Sequence, residues 1–324
     1  MNLLRRTFLG LSLAAALPAA ALAQAAWPNR PVHIVVPAPA GSSLDVVARL
    51  LADKLKDRWH QAVVIDNKPG AGGMIGVDAA AKARDEGHTI AVGFNGPIAF
   101  APFMYRRMPY DPAKDLLPVV MTTLQPNVLA VHAALPIHTP QEFVAWARAQ
   151  KGRLNYASVG LGSSSHLTME LLLAQAGAKG THVPYSGSPP AGLSVAAGET
   201  DALIAAAPAL LPLAKGGKVR LIAVTGRERL PSLKELPTLA ESGLPQVESL
   251  IWNGLFVAAG TPEVVVQKIN TDVNAALADP AVKAALDAQG LSAGGGTVGE
   301  FRQLVATDTA RWGAIIKRIN LVLD

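Results

Sequence analysis

Apolar positions recur along this chain in two rhythms that alternate. Short β-branched runs of period two, or runs apolar throughout, are followed by stretches whose apolar residues fall every three or four positions. Val32–Val36 is the first run and reads as a strand covered on both faces. Pro37, Pro39 and Gly41 end it in a tight turn. A helix follows, with Val46, Val47, Leu50, Leu51 and Leu55 on one side. Ser42, or its neighbour Ser43, is placed to cap that helix, and Asp45 stands where a capping-box acid belongs. The same order returns: strand 62–66, loop 67–73, helix 75–83 and strand 89–94, the rhythm of a parallel sheet. Asn95-Gly96-Pro97 predicts a loop, as does the turn from Met108 to Pro112.

Further on, 117–123 and 127–131 predict strands, and Thr139-Pro140-Gln141-Glu142 opens a helix with a capping box. Strands are expected at 155–158, 182–185, 201–205, 219–225 and 252–258, with helices at 166–175, 189–197 (capped by Ser188) and 262–277. The stretches 280–289 and 298–319 supply the last helices, expected to pack back on the first lobe. No low-complexity tether separates domains. Two lobes joined by crossing strands near 122–127 and 225–252 are therefore expected, with lobe 1 made of 25–124 and 248–324 and lobe 2 of 125–247.

The amino terminus differs in kind. Arg5 and Arg6 precede a short apolar run from Leu9 to Ala21, and Ala21-Leu22-Ala23 offers a small-x-small cleavage site before Gln24. This reads as a signal peptide over 1–24, with a partial twin-arginine pattern, and implies an exported, periplasmic chain.

Composition narrows the classes. The 324 residues are 50% hydrophobic and 16% charged, enough apolar material for folded cores. A net charge of +5, without clustered Lys and Arg among aromatics, gives no footing for nucleic acid. The absence of cysteine removes disulfides and thiolate chemistry. The seven histidines lack metal-ligand spacing, and the acids form no recognisable pair, so no metal is expected. The turn Gly70-Ala71-Gly72-Gly73-Met74-Ile75-Gly76 has a dinucleotide-like look, but the strand ending at Phe94 lacks the acid for a ribose, and no cofactor is expected. Ser163-Ser164-Ser165-His166 raises a periplasmic serine hydrolase as an alternative, although the nucleophile-elbow pattern is absent. His166 fits a first-turn helix residue better than a catalytic base.

What stands out is a set of Gly/Ser loops, each after a strand and before a helix. They are 38–43, 70–73, 158–165 and 185–188. Any one is an ordinary βα connection. Four, two from each lobe, would aim backbone N–H groups, hydroxyls and helix N-termini into one cleft, which suits a small carboxylate. The candidate ligand-binding residues are Ala38, Ala40, Gly41, Ser42, Ser43, Ala71, Gly72, Gly73, Asn95, Ser158, Gly162, Ser163, Ser164, Tyr185, Gly187 and Ala205.

Several phrases carry a family resemblance. They include Trp27-Pro28-Asn29-Arg30-Pro31-Val32, Asn67-Lys68-Pro69-Gly70-Ala71-Gly72-Gly73, Leu154-Asn155-Tyr156-Ala157-Ser158, His182-Val183-Pro184-Tyr185-Ser186-Gly187, Leu236-Pro237-Thr238-Leu239-Ala240-Glu241-Ser242-Gly243 and Gly260-Thr261-Pro262. In this order the chain resembles the substrate-binding receptors of tripartite tricarboxylate transporters, the Bug-type extracytoplasmic solute receptors. The resemblance implies a type II periplasmic-binding-protein fold, an α/β architecture of two lobes with a central ligand cleft. It implies a receptor that binds a small organic acid, often a di- or tricarboxylate, and membrane transporter subunits as partners; no enzymatic activity is expected, and the chain is read as a monomer. Presentation of the same ligand to a signalling protein is the alternative client. The family usually has Phe at the place of Ala38, a second Gly at Ser42 and Phe-Asp at Ile204-Ala205. Loss of that acid at Ala205 weakens the case for amino-acid ligands.

Overall fold

The computed structural model describes residues 27–319 together with 322 and 323. The signal-peptide expectation lies outside these residues. Eleven strands are found among the described residues: β1 (Val32–Val36), β2 (Val63–Asn67), β3 (Thr89–Phe94), β4 (Leu116–Pro126), β5 (Val128–His132), β6 (Leu154–Ser158), β7 (Gly180–Pro184), β8 (Ala202–Ala205), β9 (Val219–Val224), β10 (Leu250–Ala258) and β11 (Ser292–Gly295). They form two sheets, ordered β11-β4-β10-β3-β1-β2 and β7-β6-β8-β5-β9.

Each sheet has the same internal plan. Its parallel part is β2-β1-β3 in one and β7-β6-β8 in the other. The remaining strands run antiparallel: β10 to β3 and to β4, β11 to β4, and β5 to both β8 and β9. The repeating strand-helix rhythm therefore predicts the parallel half of each sheet and misses the antiparallel half. The reason is burial: β10 and β5 are apolar on both faces, as a parallel strand is, because helices cover both sides.

Helices Ser43–Trp59, Glu263–Ala278 and Pro280–Asp287 pack on one face of the first sheet around Val32, Ile34, Leu51, Leu55 and Ile269. Helices Met74–Ala81 and Val298–Ile319 cover the other, around Phe100, Trp252, Phe256 and Trp312. The C-terminal helices thus return to the first sheet, as the pattern predicts. Pro140–Ala149 and Ser164–Ala176 lie on one side of the second sheet with Phe143, Tyr156 and Leu172, and Ser188–Ala197 lies on the other with Val195 and Leu203.

Three local expectations are corrected. Gly96–Phe100 and Ala101–Met104 are helical rather than loop, because Pro97 and Pro102 occupy first-turn positions where a missing N–H costs nothing. Pro112–Asp115 is a helical turn capped by Asp111. Ser188 is the first residue of its helix, and Gly187 stands at the cap without a side-chain bond.

The chain passes between the sheets at Asn127 and again across the segment from Thr225 to Ser249. These crossings are tied together. Asn127 N–H donates to Thr225 Oγ1 at 2.9 Å, Thr225 N–H donates to the Asn127 carbonyl at 2.9 Å, and Ser249 N–H donates to the Thr225 carbonyl at 3.0 Å.

Candidate functional site

Two of the strand-to-helix turns are built on one plan. At the first, Gly41 sits at φ 78° and Ser42 at φ −73°, ψ 164°. The Ser42 Oγ accepts the Asp45 N–H at 3.3 Å, and the Asp45 carboxylate accepts the Gly41 N–H at 2.9 Å. At the second, Gly162 sits at φ 71° and Ser163 at φ −72°, ψ 164°. The Ser163 Oγ accepts the His166 N–H at 3.3 Å, and His166 Nδ1 accepts the Gly162 N–H at 3.2 Å. Only glycine takes the left-handed bend at positions 41 and 162 without strain. Asp45 and His166 close the same ring from the third helical position, one as a carboxylate and one as a ring nitrogen.

Their surroundings differ. Asp45 is buried, receives Arg49 Nε at 3.0 Å and Asn67 Nδ2 at 3.0 Å, and ion-pairs with Arg49. Burial alone would raise its pKa, but the hydrogen bonds from Arg49, the Gly41 N–H and Asn67 hold it below the usual carboxylate value. His166 stacks on His182, ring centroids 3.8 Å apart and 7° from parallel, and His182 in turn stacks on Tyr156. Burial, with a smaller contribution from His182, lowers the His166 pKa to about 3, and burial lowers His182 to about 4. Both rings are therefore neutral at physiological pH. His182 Nε2 lies 2.6 Å from Ser158 Oγ.

A cavity lies between the sheets where the two turns meet. Its empty space is about 570 Å³, and the opposing loops approach closely beside it at Gly160 and Gly72 and at Gly187 and Pro39, so the cleft is narrow. The first lobe contributes Pro37, Ala38, Ser42, Ser43, Leu44, Gly72, Gly73 and Phe94. The second contributes Val159, Ser164, Ser186, Gly187, Ser188 and Ala206. The crossing strands supply Asn127, Ile251 and Asn253. No lining residue is charged. The hydroxyls of Ser43, Ser164 and Ser188 make no hydrogen bond to protein among the described residues. They stand in the first turns of three helices whose leading N–H groups lack intrahelical partners. The wall therefore offers donors and positive dipole ends without a cation.

Of the residues singled out from the sequence, Ala38, Ser42, Ser43, Gly72, Gly73, Ser164 and Gly187 line this cavity together. Gly41, Gly162 and Ser163 shape the turns behind it. Ala40 and Ala71 are exposed. The others serve the framework. Asn95 is fully buried and donates to the Leu250 carbonyl at 3.0 Å. Ser158 is occupied by Gly160 and His182. Tyr185 packs against the apolar cluster of the second sheet. Ala205 points into that cluster, and its neighbour Ala206 is the residue at the cavity. The sequence reading missed Pro37, Leu44, Phe94, Asn127, Ala206, Ile251 and Asn253. A signal for one of them exists: Asn253 is the lone amide in an otherwise apolar strand.

The serines of 163–165 are not set up for nucleophilic attack. Ser163 Oγ donates to the Gly160 carbonyl at 2.6 Å, and Ser165 Oγ donates to the Ile204 carbonyl. His166 Nδ1 accepts the Gly162 N–H and contacts no hydroxyl of this run among the described residues.

Two α/β lobes, each with a half-parallel sheet, enclosing a narrow amide-lined cleft at their crossing strands, define a solute-binding protein of the periplasmic type. The chain belongs to the tripartite tricarboxylate transporter family receptors, whose family model matches residues 47–321. It is 33% identical over 325 residues to Protein BugT of Bordetella pertussis, covering 100% of both chains. Among solved structures it is similar to R. palustris Rpa4515 with adipate, at 37% identity and TM-score 0.87, over 90% of this chain and 97% of that one. It is also similar to MatC from Rhodopseudomonas palustris with bound malate, at 32% identity and TM-score 0.85, over 90% of this chain and 100% of the other. The family is one of receptors rather than enzymes, and this chain shares the type II two-lobed α/β fold with these structures.

Proposed function

We propose that this protein is an exported receptor that captures a small organic carboxylate between its lobes and hands it to a membrane transporter of the tripartite tricarboxylate type. One observation carries the reading. The cleft converges three helix N-termini, each with a first-turn serine hydroxyl that has no partner among the described residues, on a space whose lining residues are all uncharged, and that arrangement holds a carboxylate through N–H and O–H donors. The adipate and malate held by two related proteins support the ligand class. The lobes are taken as 25–124 with 248–324 and as 125–247, rotating about Asn127 and the Thr225–Ser249 crossing, with a periplasmic location set by the signal over 1–24 and the receptor acting as a monomer.

The test is thermal denaturation of the mature chain, from Ala25 onward, against linear carboxylates of three to six carbons. A binder present at 100 times its Kd adds about 2.7 kcal/mol and raises the midpoint by mass action. No shift with any acid of the panel overturns the reading. For the transporter partner, removal of the receptor should abolish uptake of the acid that binds; uptake that continues unchanged assigns the receptor another client.

A further inference from the structure

The floor of the cleft carries polar atoms that the protein itself leaves without partners. Asn127 is fully buried, and its backbone is pinned by Thr225, yet neither Oδ1 nor Nδ2 has a hydrogen-bond partner among the described residues. Asn253 is also fully buried; its Nδ2 donates to Thr123 Oγ1 at 2.9 Å, and its Oδ1 has no partner among the described residues. Both residues line the cavity, at the place where the crossing strands meet. An orphaned buried amide group costs free energy until something fills its bonding positions.

The chemistry of these atoms selects what fills them. Together they present two carbonyl oxygens and one NH2 group. A second carboxylate would bring only acceptors to face two acceptors. An alkyl chain would satisfy none of them. A hydroxyl both donates and accepts, so it pairs with an amide oxygen and with Asn127 Nδ2 at once. The helix N-termini on the walls take the acid group, and the floor is left to read the rest of the molecule.

We propose that Asn127 and Asn253 form a hydroxyl-reading floor, and that the ligand is a short hydroxy-carboxylate rather than an unsubstituted mono- or dicarboxylate. This rests on the carboxylate reading of the same cleft. The narrowness of the cavity fits a short acid. A site built to hydrogen-bond a hydroxyl discriminates strongly against the analogue lacking it, because the site's own groups are then buried unpaired.

The test is titration calorimetry of the mature chain with matched series of three to six carbons: the unsubstituted monocarboxylate, its hydroxy isomers and the dicarboxylate. At least one hydroxy acid should bind about tenfold or more tightly than both its unsubstituted and its dicarboxylate counterparts. Asn127→Leu, close in shape and without polar atoms, should erase that preference, so that the hydroxy acid and its unsubstituted counterpart bind with affinities within about twofold of each other. It should also raise the denaturation midpoint of the ligand-free protein, since it removes two orphaned groups. Equal or tighter binding of the unsubstituted acids or dicarboxylates overturns the hydroxyl floor and leaves the carboxylate receptor intact. Failure of every acid overturns the receptor reading and the floor with it. If Asn127→Leu does not fold, the wild-type series alone decides.

Discussion

Asp45 and His166 occupy equivalent places in their turns and meet the same demand, an acceptor for the N–H of a left-handed glycine. They respond to acid in the same direction by opposite routes. The imidazole of His166 has a folded-state pKa of about 3, below the ordinary 6.5, so the unfolded chain takes up the proton first as pH falls. Its contribution to stability is complete above about pH 6.5 and is lost as pH falls toward about 3, at up to about 1.4 kcal/mol per pH unit. His182, lowered to about 4 by burial, adds to the loss over the upper part of that range. The Asp45 carboxylate, held below its ordinary value by Arg49, Gly41 and Asn67 against the cost of burial, loses its contribution as pH falls through its folded-state pKa. Urea midpoints measured from pH 4 to 8 should therefore climb to near pH 6.5 and then level off. His166→Gln, which retains an acceptor without an ionisable ring, should flatten much of the climb between pH 4.5 and 6.5. A wild-type midpoint independent of pH over that window contradicts the buried neutral pair.

At the level of the helices the two turns are not equivalent toward an anion. Helix Ser43–Trp59 carries Asp45 in its first turn, so its dipole is already answered by a carboxylate. Helices Ser164–Ala176 and Ser188–Ala197 carry no acid there. The ligand's negative charge should settle on the second lobe. Ser164→Ala should weaken carboxylate binding by roughly tenfold or more, the scale of a hydrogen bond to a charged group, and Ser43→Ala by only a few-fold. Calorimetry that ranks them the other way would place the acid on the first lobe. Helix starts are also where the sequence was most readable. Thr139 and Glu142 make both halves of their capping box, and Ser42 caps its helix. The helix expected from 166 starts two residues earlier, at Ser164, with Ser163 as its cap. β11 left no trace in the sequence, because Ser-Ala-Gly-Gly has no side chains large enough to show an alternation and is held by its pairing with β4. The cleft walls were legible for the same reason as the caps, since glycine and serine mark turns locally. The floor was not. Asn127 and Asn253 reach the cavity only through the pairing of distant strands, β10 with β3 and β4 and the crossing at Thr225.

On the scale of the whole molecule, the lobes meet across the cleft backbone against backbone, and this closeness depends on the absence of side chains. A Cβ on Gly160 would stand 3.1 Å from Gly72 Cα of the other lobe, and one on Gly187 would stand 2.4 Å from Pro39 Cδ. The narrow cavity and these contacts belong to one state, with the lobes shut on each other. Gly187→Ala should hold that seam ajar and weaken ligand binding by roughly ten- to a hundredfold, the scale of an overpacking penalty. Gly187 also sits at φ 150°, so a local backbone penalty accompanies the steric one. The two separate in the double variant. Pro39→Ala removes the ring atoms that the new methyl would strike and keeps the Pro39 carbonyl that accepts the Ser42 N–H. If closure at the seam sets affinity, adding Pro39→Ala to Gly187→Ala recovers most of the lost binding, and small-angle scattering with ligand returns to the compact wild-type profile. If backbone strain alone is responsible, the double variant binds no better than Gly187→Ala, and the seam has no part in holding the solute.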